Sequence, residues 1–427
     1  MELNKSQLQA VCHDKGPMMV LAGPGSGKTM VITHRVKWLI EHAGVHPAGT
    51  KAAADEMRQR FVSLMDGRTM PVSFGTFHAI FFSVLKHAYN YTASNIIREE
   101  QKQQLIREII EDMPVEPDNV SEFVNDVLSE IGLVKGSVMD IEHYYATSCA
   151  TSVFRDIYKQ YVQRMENSRL IDFEDMLVYT WELFTQRKDI LAAWQHKFQY
   201  ILIDEFQDIN LLQYKLIRML ALPQNNIFIV GDDDQSIYGF RGARPEIMLN
   251  FEKDFSDVKK VFLSVNYRSQ AAIVRGAGCV IKNNKQRFDK QIRAVRPEEE
   301  PVDIRVFKGP ADENAAVIRE IRDYHDQGIP YHAMAVLFRT NTQARMLLEK
   351  MMEYNIPFKM QDAMPNIYQH WVTQDIMAYI QIALGSTARS HYLRIINRPN
   401  RYVSRQMLGE RQVAFDVLLE QYKDKPW

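Results

Sequence analysis

The sequence predicts an α/β fold built on parallel β-sheet, and three observations predict it. Apolar runs near Met18, Val72, Ile201, Ile227 and Val261 alternate with helical stretches, the pattern of buried parallel strands joined by helical crossovers. Two of these runs, Met18-Met19-Val20-Leu21 and Tyr200-Ile201-Leu202-Ile203, end directly in a glycine-rich turn and an acidic turn respectively, as strand ends do when they carry a site. The 427 residues are also too many for one hydrophobic core, so roughly two to four domains are expected.

The first strand opens into Ala22-Gly23-Pro24-Gly25-Ser26-Gly27-Lys28-Thr29. Small residues that tolerate positive φ, followed by a helix, point successive backbone N–H groups and the positive end of the helix dipole at one spot. This is a phosphate cradle, with Gly23, Gly25, Ser26 and Gly27 as its wall and Ala22 where the simplest form of the motif has Gly. Lys28 is expected to reach the β/γ-phosphates of ATP and Thr29 to hold Mg²⁺. Between Thr76 and Tyr200 the pattern turns all-helical, with amphipathic stretches over Ser94–Glu111, Val120–Ile131 and Phe154–Met165, and reads as an insertion rooted in the first domain. Leu170 to Met176 leads back toward the sheet.

The second site-bearing strand ends in Asp204-Glu205-Phe206-Gln207-Asp208. Asp204 is expected in the Mg²⁺ shell and Glu205 as the group that polarises an attacking water. The strand Ile227–Val230 leads into Gly231-Asp232-Asp233-Asp234-Gln235-Ser236-Ile237-Tyr238-Gly239-Phe240-Arg241-Gly242-Ala243. Gln235 is suited to sensing a γ-phosphate, and Tyr238 and Phe240 to stacking on bases. After the charged turn Pro297–Pro301 a second α/β unit is expected: a strand over Val302–Phe307, a helix over Asp312–Gln327 and a strand over Ala333–Phe338. Beyond Leu384 the pattern is helical, with a break at Pro399.

Taken together, Leu3-Asn4 with Gln7, the phosphate cradle, Thr76-Phe77-His78, Asp204–Asp208, Gly231–Ala243, Asn266-Tyr267-Arg268-Ser269 and Leu337–Asn341 resemble the UvrD/Rep family of superfamily 1 DNA helicases. The resemblance spans nearly the whole chain in the family's order, and the Gly231–Ala243 block is its most specific part. It implies two RecA-like P-loop NTPase motor domains with helical insertions. The expected organisation is a first motor domain over 1–86 and 183–265, a helical insertion over 87–182, a partial second motor domain over 266–384 and the start of a second insertion over 385–427. It also implies that Gln7 reads the adenine edge, Tyr267 stacks on the ring and Arg268 reaches the γ-phosphate, where a fixed guanidinium suits the spread transition-state charge. Thr76, His78, Tyr238 and Phe240 would line a single-strand path and Arg241 would couple nucleotide to DNA. The implied activity is an ATP-dependent 3′→5′ helicase and translocase on single-stranded DNA and 3′-tailed duplexes, in repair or replication restart. Repair proteins and self-association stay open as further partners. The motor subunit of a helicase-nuclease and a nucleotide-gated DNA-binding module are the alternatives.

Three departures from the family pattern stand out. Met30 occupies a position where relatives carry a basic residue. Between Pro47 and the Lys51-Ala52-Ala53 segment the expected apolar strand is missing, which suggests a segment omitted near Gly49 and Thr50, since a core strand can hardly be deleted without exposing its neighbours. The chain also stops at Trp427, before the family's final arginine motif.

Composition supports this reading without driving it. Net charge is −1, so no global basic field advertises nucleic acid and any DNA contact must be local and partly aromatic. Cys12, Cys149 and Cys279 have no C-x-x-C spacing, which argues against a disulfide framework and a zinc site; they are expected to pack as small apolar side chains in a reducing cytoplasm. No run is long and apolar enough to span a membrane, and the N-terminus does not read as a signal peptide.

Overall fold

The computed structural model describes residues 3–423 apart from 44–49, 53–54, 69, 71, 116, 118, 240–241, 299–300, 341–342, 361–365, 367, 369 and 410–411. The chain divides after Val302 into two compact units.

The first unit holds a parallel sheet of β1 (Met18–Ala22), β2 (Thr50–Ala52), β3 (Ser73–Phe74), β4 (Tyr200–Ile203), β5 (Ile227–Gly231) and β6 (Lys259–Leu263), in the order β3-β2-β4-β5-β1-β6. β1 lies at the centre of the site-bearing part, with Met18 in register with Phe228 on one side and Lys259 on the other. Its five residues are all buried, and the two-residue strand period sends them to opposite faces. Met19 and Leu21 join Ile201, Ile203, Ile227 and Ile229 in one core, while Met18, Val20 and Ala22 join Tyr200, Leu202, Phe228 and Val230 in another. Helices cover both faces. α1 (Lys5–Val11), α2 (Lys28–Glu41) and α3 (Asp55–Leu64) supply Val11, Val36 and Phe61 to the second core. α4 (Phe77–Tyr89) supplies Phe81 to the first.

α5 (Glu99–Glu111), α6 (Val120–Ser137) and α7 (Thr151–Asn167) form the helical insertion around Ile106, Ile109, Val127, Ile131, Phe154, Ile157 and Tyr161. The three- and four-residue spacing of these apolar positions puts them on one face of each helix. α8 (Phe173–Gln186) returns the chain to the first core, and at this junction Lys135 is buried between Asp172 at 2.7 Å and Asp175 at 2.6 Å. β7 (Val265–Gln270) and β8 (Arg293–Arg296) make a separate two-stranded parallel ribbon that packs with the first unit.

The structure corrects three expectations. The strand thought to be missing after Pro47 is supplied by Thr50–Ala52, which pairs with both β3 and β4 and keeps the sheet continuous; residues 44–49 lie outside the described residues. Three residues suffice because pairing on both sides needs backbone groups rather than a long apolar run. Residues 302–307 and 334–338 form no strand, although the helix between them spans Pro310–Asp326. A strand needs a partner, and no described strand lies beside either run, so Val306 and Leu337 are each 93% exposed. Cys12 and Cys279 are exposed, so these two do not pack as apolar side chains, whereas the half-buried Cys149 packs against the core of the helical insertion as expected.

The second unit packs its helices Pro310–Asp326 and Ala344–Glu353 around Ile318, Ile321, Leu347, Leu348 and Met351. Further helices run over Trp371–Ala383, Arg389–Ile395 and Phe415–Gln421. Among the described residues no helix is long and apolar enough to cross a membrane.

Candidate functional site

The turn after β1 is fixed from three sides. Gly23 donates its N–H to the Leu263 carbonyl of β6 (3.0 Å), and the Ser26 hydroxyl donates back to the Gly23 carbonyl at 2.7 Å. Gly25 and Gly27 have φ of +64° and +84°, and Gly27 caps α2. A Cβ on Gly25 would also sit 2.7 Å from the Arg268 Cβ, so the turn requires glycine for both conformation and space. The first N–H groups of α2 are thereby left to face an anion. Lys28 and Thr29 are its first two residues.

Lys28 crosses to Glu205, Nζ to Oε2 at 2.8 Å. Glu205 follows β4 at a φ of +48°, strain of about 1–3 kcal/mol that persists only where surroundings over-determine it. Its N–H donates to the Asp204 carboxylate at 3.0 Å. Burial, reinforced by the neighbouring Glu205 charge, pushes the Asp204 carboxyl up to about 6.

From Glu205 the bonding runs on without a gap. Gln207, almost fully buried, donates Nε2 to Glu205 Oε2 (2.8 Å) and accepts at Oε1 from the Asp232 N–H (2.9 Å). The Asp232 carboxylate then accepts from Gln235 Nε2 at 2.6 Å. Lys28, Glu205 and Gln235, expected to act together, are thus joined through Gln207 and Asp232, to which the sequence reading gave no role.

The Asn266-Tyr267-Arg268-Ser269 segment lies in β7 and is laced to the phosphate turn. Asn266 donates Nδ2 to the Pro24 carbonyl (2.8 Å), accepts at Oδ1 from the Arg268 and Ser269 N–H groups, and the Tyr267 N–H reaches the Gly25 carbonyl at 3.0 Å. Arg268 is exposed beside Gly25. At the far end Asn4 donates to the Tyr267 hydroxyl (2.8 Å) and forms a reciprocal cap with Gln7, whose Nε2 donates to the Ser26 carbonyl at 2.9 Å. Each end of the Gln7 amide therefore has one bond made and capacity for one more. Met30 packs near Gly27, its Cε 3.4 Å from where a Cβ would be.

Of the residues expected on a single-strand path, Thr76 caps α4 and accepts from the Ala79 N–H. His78 packs edge-on against Phe173 with ring centroids 5.4 Å apart, and burial lowers its pKa. Phe173, 53% exposed, opens α8; the sequence placed it only in the run that leads back toward the sheet. Tyr238 is 40% exposed, a loop aromatic rather than a core one. Phe240 and Arg241 lie outside the described residues.

The residues present fit ATP and Mg²⁺. A Cβ on Gly23 or Gly25 would crowd Ile292 or Arg268 at the cradle, and Asp204 is a half-buried carboxyl whose pKa is raised by burial and by the adjacent Glu205. Among the described residues no group of three or more His, Cys, Asp or Glu is placed to hold a metal.

Comparison with known proteins agrees with this geometry. The profile of the UvrD/REP helicase N-terminal domain matches residues 3–256, and that of the UvrD-like helicase C-terminal domain matches residues 261–421. YjcD of Bacillus subtilis is 36% identical over 395 residues, covering 88% of this chain and 51% of its own length. The ATP-dependent DNA helicase PcrA of Staphylococcus aureus is 32% identical over 419 residues, 94% of this chain and 56% of its own length. PcrA of Staphylococcus epidermidis is 31% identical over 444 aligned positions, 98% of this chain and 60% of its own. The chain spans a little over half the length of these relatives. With its profile matches and its laced phosphate turn, the chain belongs to the UvrD/Rep helicase family.

Proposed function

We propose that the chain is the motor part of an ATP-dependent DNA helicase that moves 3′→5′ on single-stranded DNA in repair or replication restart, in the cytoplasm. The observation that carries this reading is the unbroken bonding from Lys28 through Glu205, Gln207 and Asp232 to Gln235. Lys28 would exchange Glu205 for the β/γ-phosphates, and Glu205, once released, would accept the proton of an attacking water. Thr29 and Asp204 would hold Mg²⁺, which supplies charge neutralisation at the phosphates. Arg268 would face the γ-phosphate, and Gln7 and Tyr267 the base. Gln235, one bond from Asp232, would report phosphate loss to the following loop, where Tyr238 and Phe240 would stack on bases, Arg241 couple the two sites, and Thr76 and His78 contact the strand.

The test is DNA-stimulated ATPase together with unwinding of 3′-tailed and 5′-tailed duplexes by the full-length protein. Stimulation with unwinding of the 3′-tailed substrate is expected. Absence of DNA stimulation would remove the motor reading, and preference for a 5′ tail would reverse its direction. For residues 1–427 alone, a nucleotide-gated DNA-binding module is favoured by one observation, the lack of any strand in the described part of 303–427.

A further inference from the structure

In the acidic run after β5, Asp232 and Asp233 are buried and Asp234 is half-buried, and such a cluster of carboxylates cannot be desolvated without counter-charge. The cations come from the segment leading into β8. Lys290, its side chain 2% exposed, reaches Asp232 at 2.6 Å, Asp233 at 2.5 Å and Asp234 at 2.9 Å. Arg287 grips Asp234 with two parallel bonds, Nε at 2.7 Å and Nη2 at 2.8 Å, and the Phe288 N–H donates to Asp233 at 2.8 Å.

The same segment touches the other parts of the site. A Cβ placed on Gly23 would meet Ile292 Cδ1, and the Arg293 N–H bonds the Ser264 carbonyl at 2.9 Å where β7 begins. β8 then pairs with β7, with Arg293 opposite Val265 and Ala294 opposite Asn266. One oxygen of Asp232 thus faces Lys290 and the other Gln235.

We propose that Lys290 and Arg287 are positioning residues for ATP hydrolysis: they hold the Asp232–Asp234 triplet so that Asp232 presents the Gln235 amide, and they seat the β7–β8 ribbon that carries Arg268. Neither is a group that touches the nucleotide. Their role is to fix at once a residue on the phosphate-sensing loop and one on the arginine strand. This rests on the motor reading of the site. A bidentate guanidinium and a three-way ammonium restrict the loop to one placement, which a single surface ion pair does not.

The test compares wild type with Lys290→Met, Lys290→Arg and Arg287→Gln in the full-length protein. Two readouts are taken: steady-state ATPase with saturating single-stranded DNA, and amide hydrogen exchange of the nucleotide-free protein. Because misplaced groups can cost about 100-fold, Lys290→Met is expected to lower kcat about 10–100-fold with less change in KM, and Arg287→Gln to do the same more weakly. Lys290→Arg, which keeps the charge, is expected to recover most of the loss. Exchange protection should be lost in residues 232–236 and 287–296 while β1 and β4 keep theirs. If Lys290→Met does not fold, Arg287→Gln, which leaves Lys290 in place, decides by the same measures. Wild-type kcat in folded Lys290→Met or in Arg287→Gln, or a loss in KM alone, would overturn the proposal while leaving the motor reading intact. A wild-type protein without ATPase would overturn both.

Discussion

At the residue scale, the Lys28–Glu205 pair separates binding from turnover. Lys28 is the cradle's cation, so Lys28→Ala is expected to abolish turnover and weaken nucleotide binding together. Glu205→Gln keeps the shape and the bond from Gln207 but removes the base, so turnover should fall about 10²–10⁴-fold with binding retained. Turnover and the Kd of a fluorescent ATP analogue, measured on both variants, check this; equal loss of binding in both would contradict the division of roles. Tyr238, exposed on its loop, has a different signature. Tyr238→Ala should weaken single-strand binding by about 1–3 kcal/mol, similarly on dT and mixed strands, without changing DNA-free ATPase. A lower Tm with unchanged affinity would instead make it a packing residue.

At the scale of elements, the joint between the helical insertion and the sheet depends on Lys135 buried against Asp172 and Asp175, with the Tyr161 hydroxyl donating to Asp172 at 3.0 Å. Removing one member of such a cluster strands the others, so Lys135→Met should destabilise the first unit by about 3–5 kcal/mol in urea unfolding. Burial and the Asp172 charge push Asp175 up to about 7, above its unfolded value of 3.8. The folded state therefore holds a proton there that the unfolded state has released. The stability this contributes is fully present below the unfolded pKa and is lost as pH rises through about 7. Asp175→Asn, which keeps an oxygen for the Asp172 N–H bond, should show a smaller drop in stability between pH 5 and pH 8 than wild type. An unchanged drop would place the titrating group elsewhere.

At the scale of the whole molecule, the two units differ in what they have to pack against. The sheet of the first unit is covered on both faces, whereas runs 303–307 and 334–338 of the second form no strand. Residues 1–427 alone are therefore expected to bind nucleotide through the first unit, to fail to unwind a 3′-tailed duplex and to aggregate more readily than the full-length protein, because exposed apolar runs invite association. Side-by-side unwinding and light-scattering measurements check this; robust unwinding by 1–427 would show that the second unit suffices as it stands.

The sequence by itself determined the parallel sheet, the helical insertion and the residues of the phosphate turn and acidic strand end. These depend on local conformation: glycines where φ must be positive, buried runs with a two-residue period, acids at strand ends. Only the tertiary structure decided what joins them. Gln207, Asn266, Arg287 and Lys290 connect elements distant in the chain, and nothing near Lys290 in the sequence marks it as the cation for Asp232, 58 residues away. That three acids after a buried strand need counter-charges was legible; which cations provide them was not, because burial and pairing are properties of the packed chain. The same reason underlies the misread strands. Thr50–Ala52 is a strand because β3 and β4 flank it, and 302–307, far more strand-like in composition, is not one because no strand lies beside it.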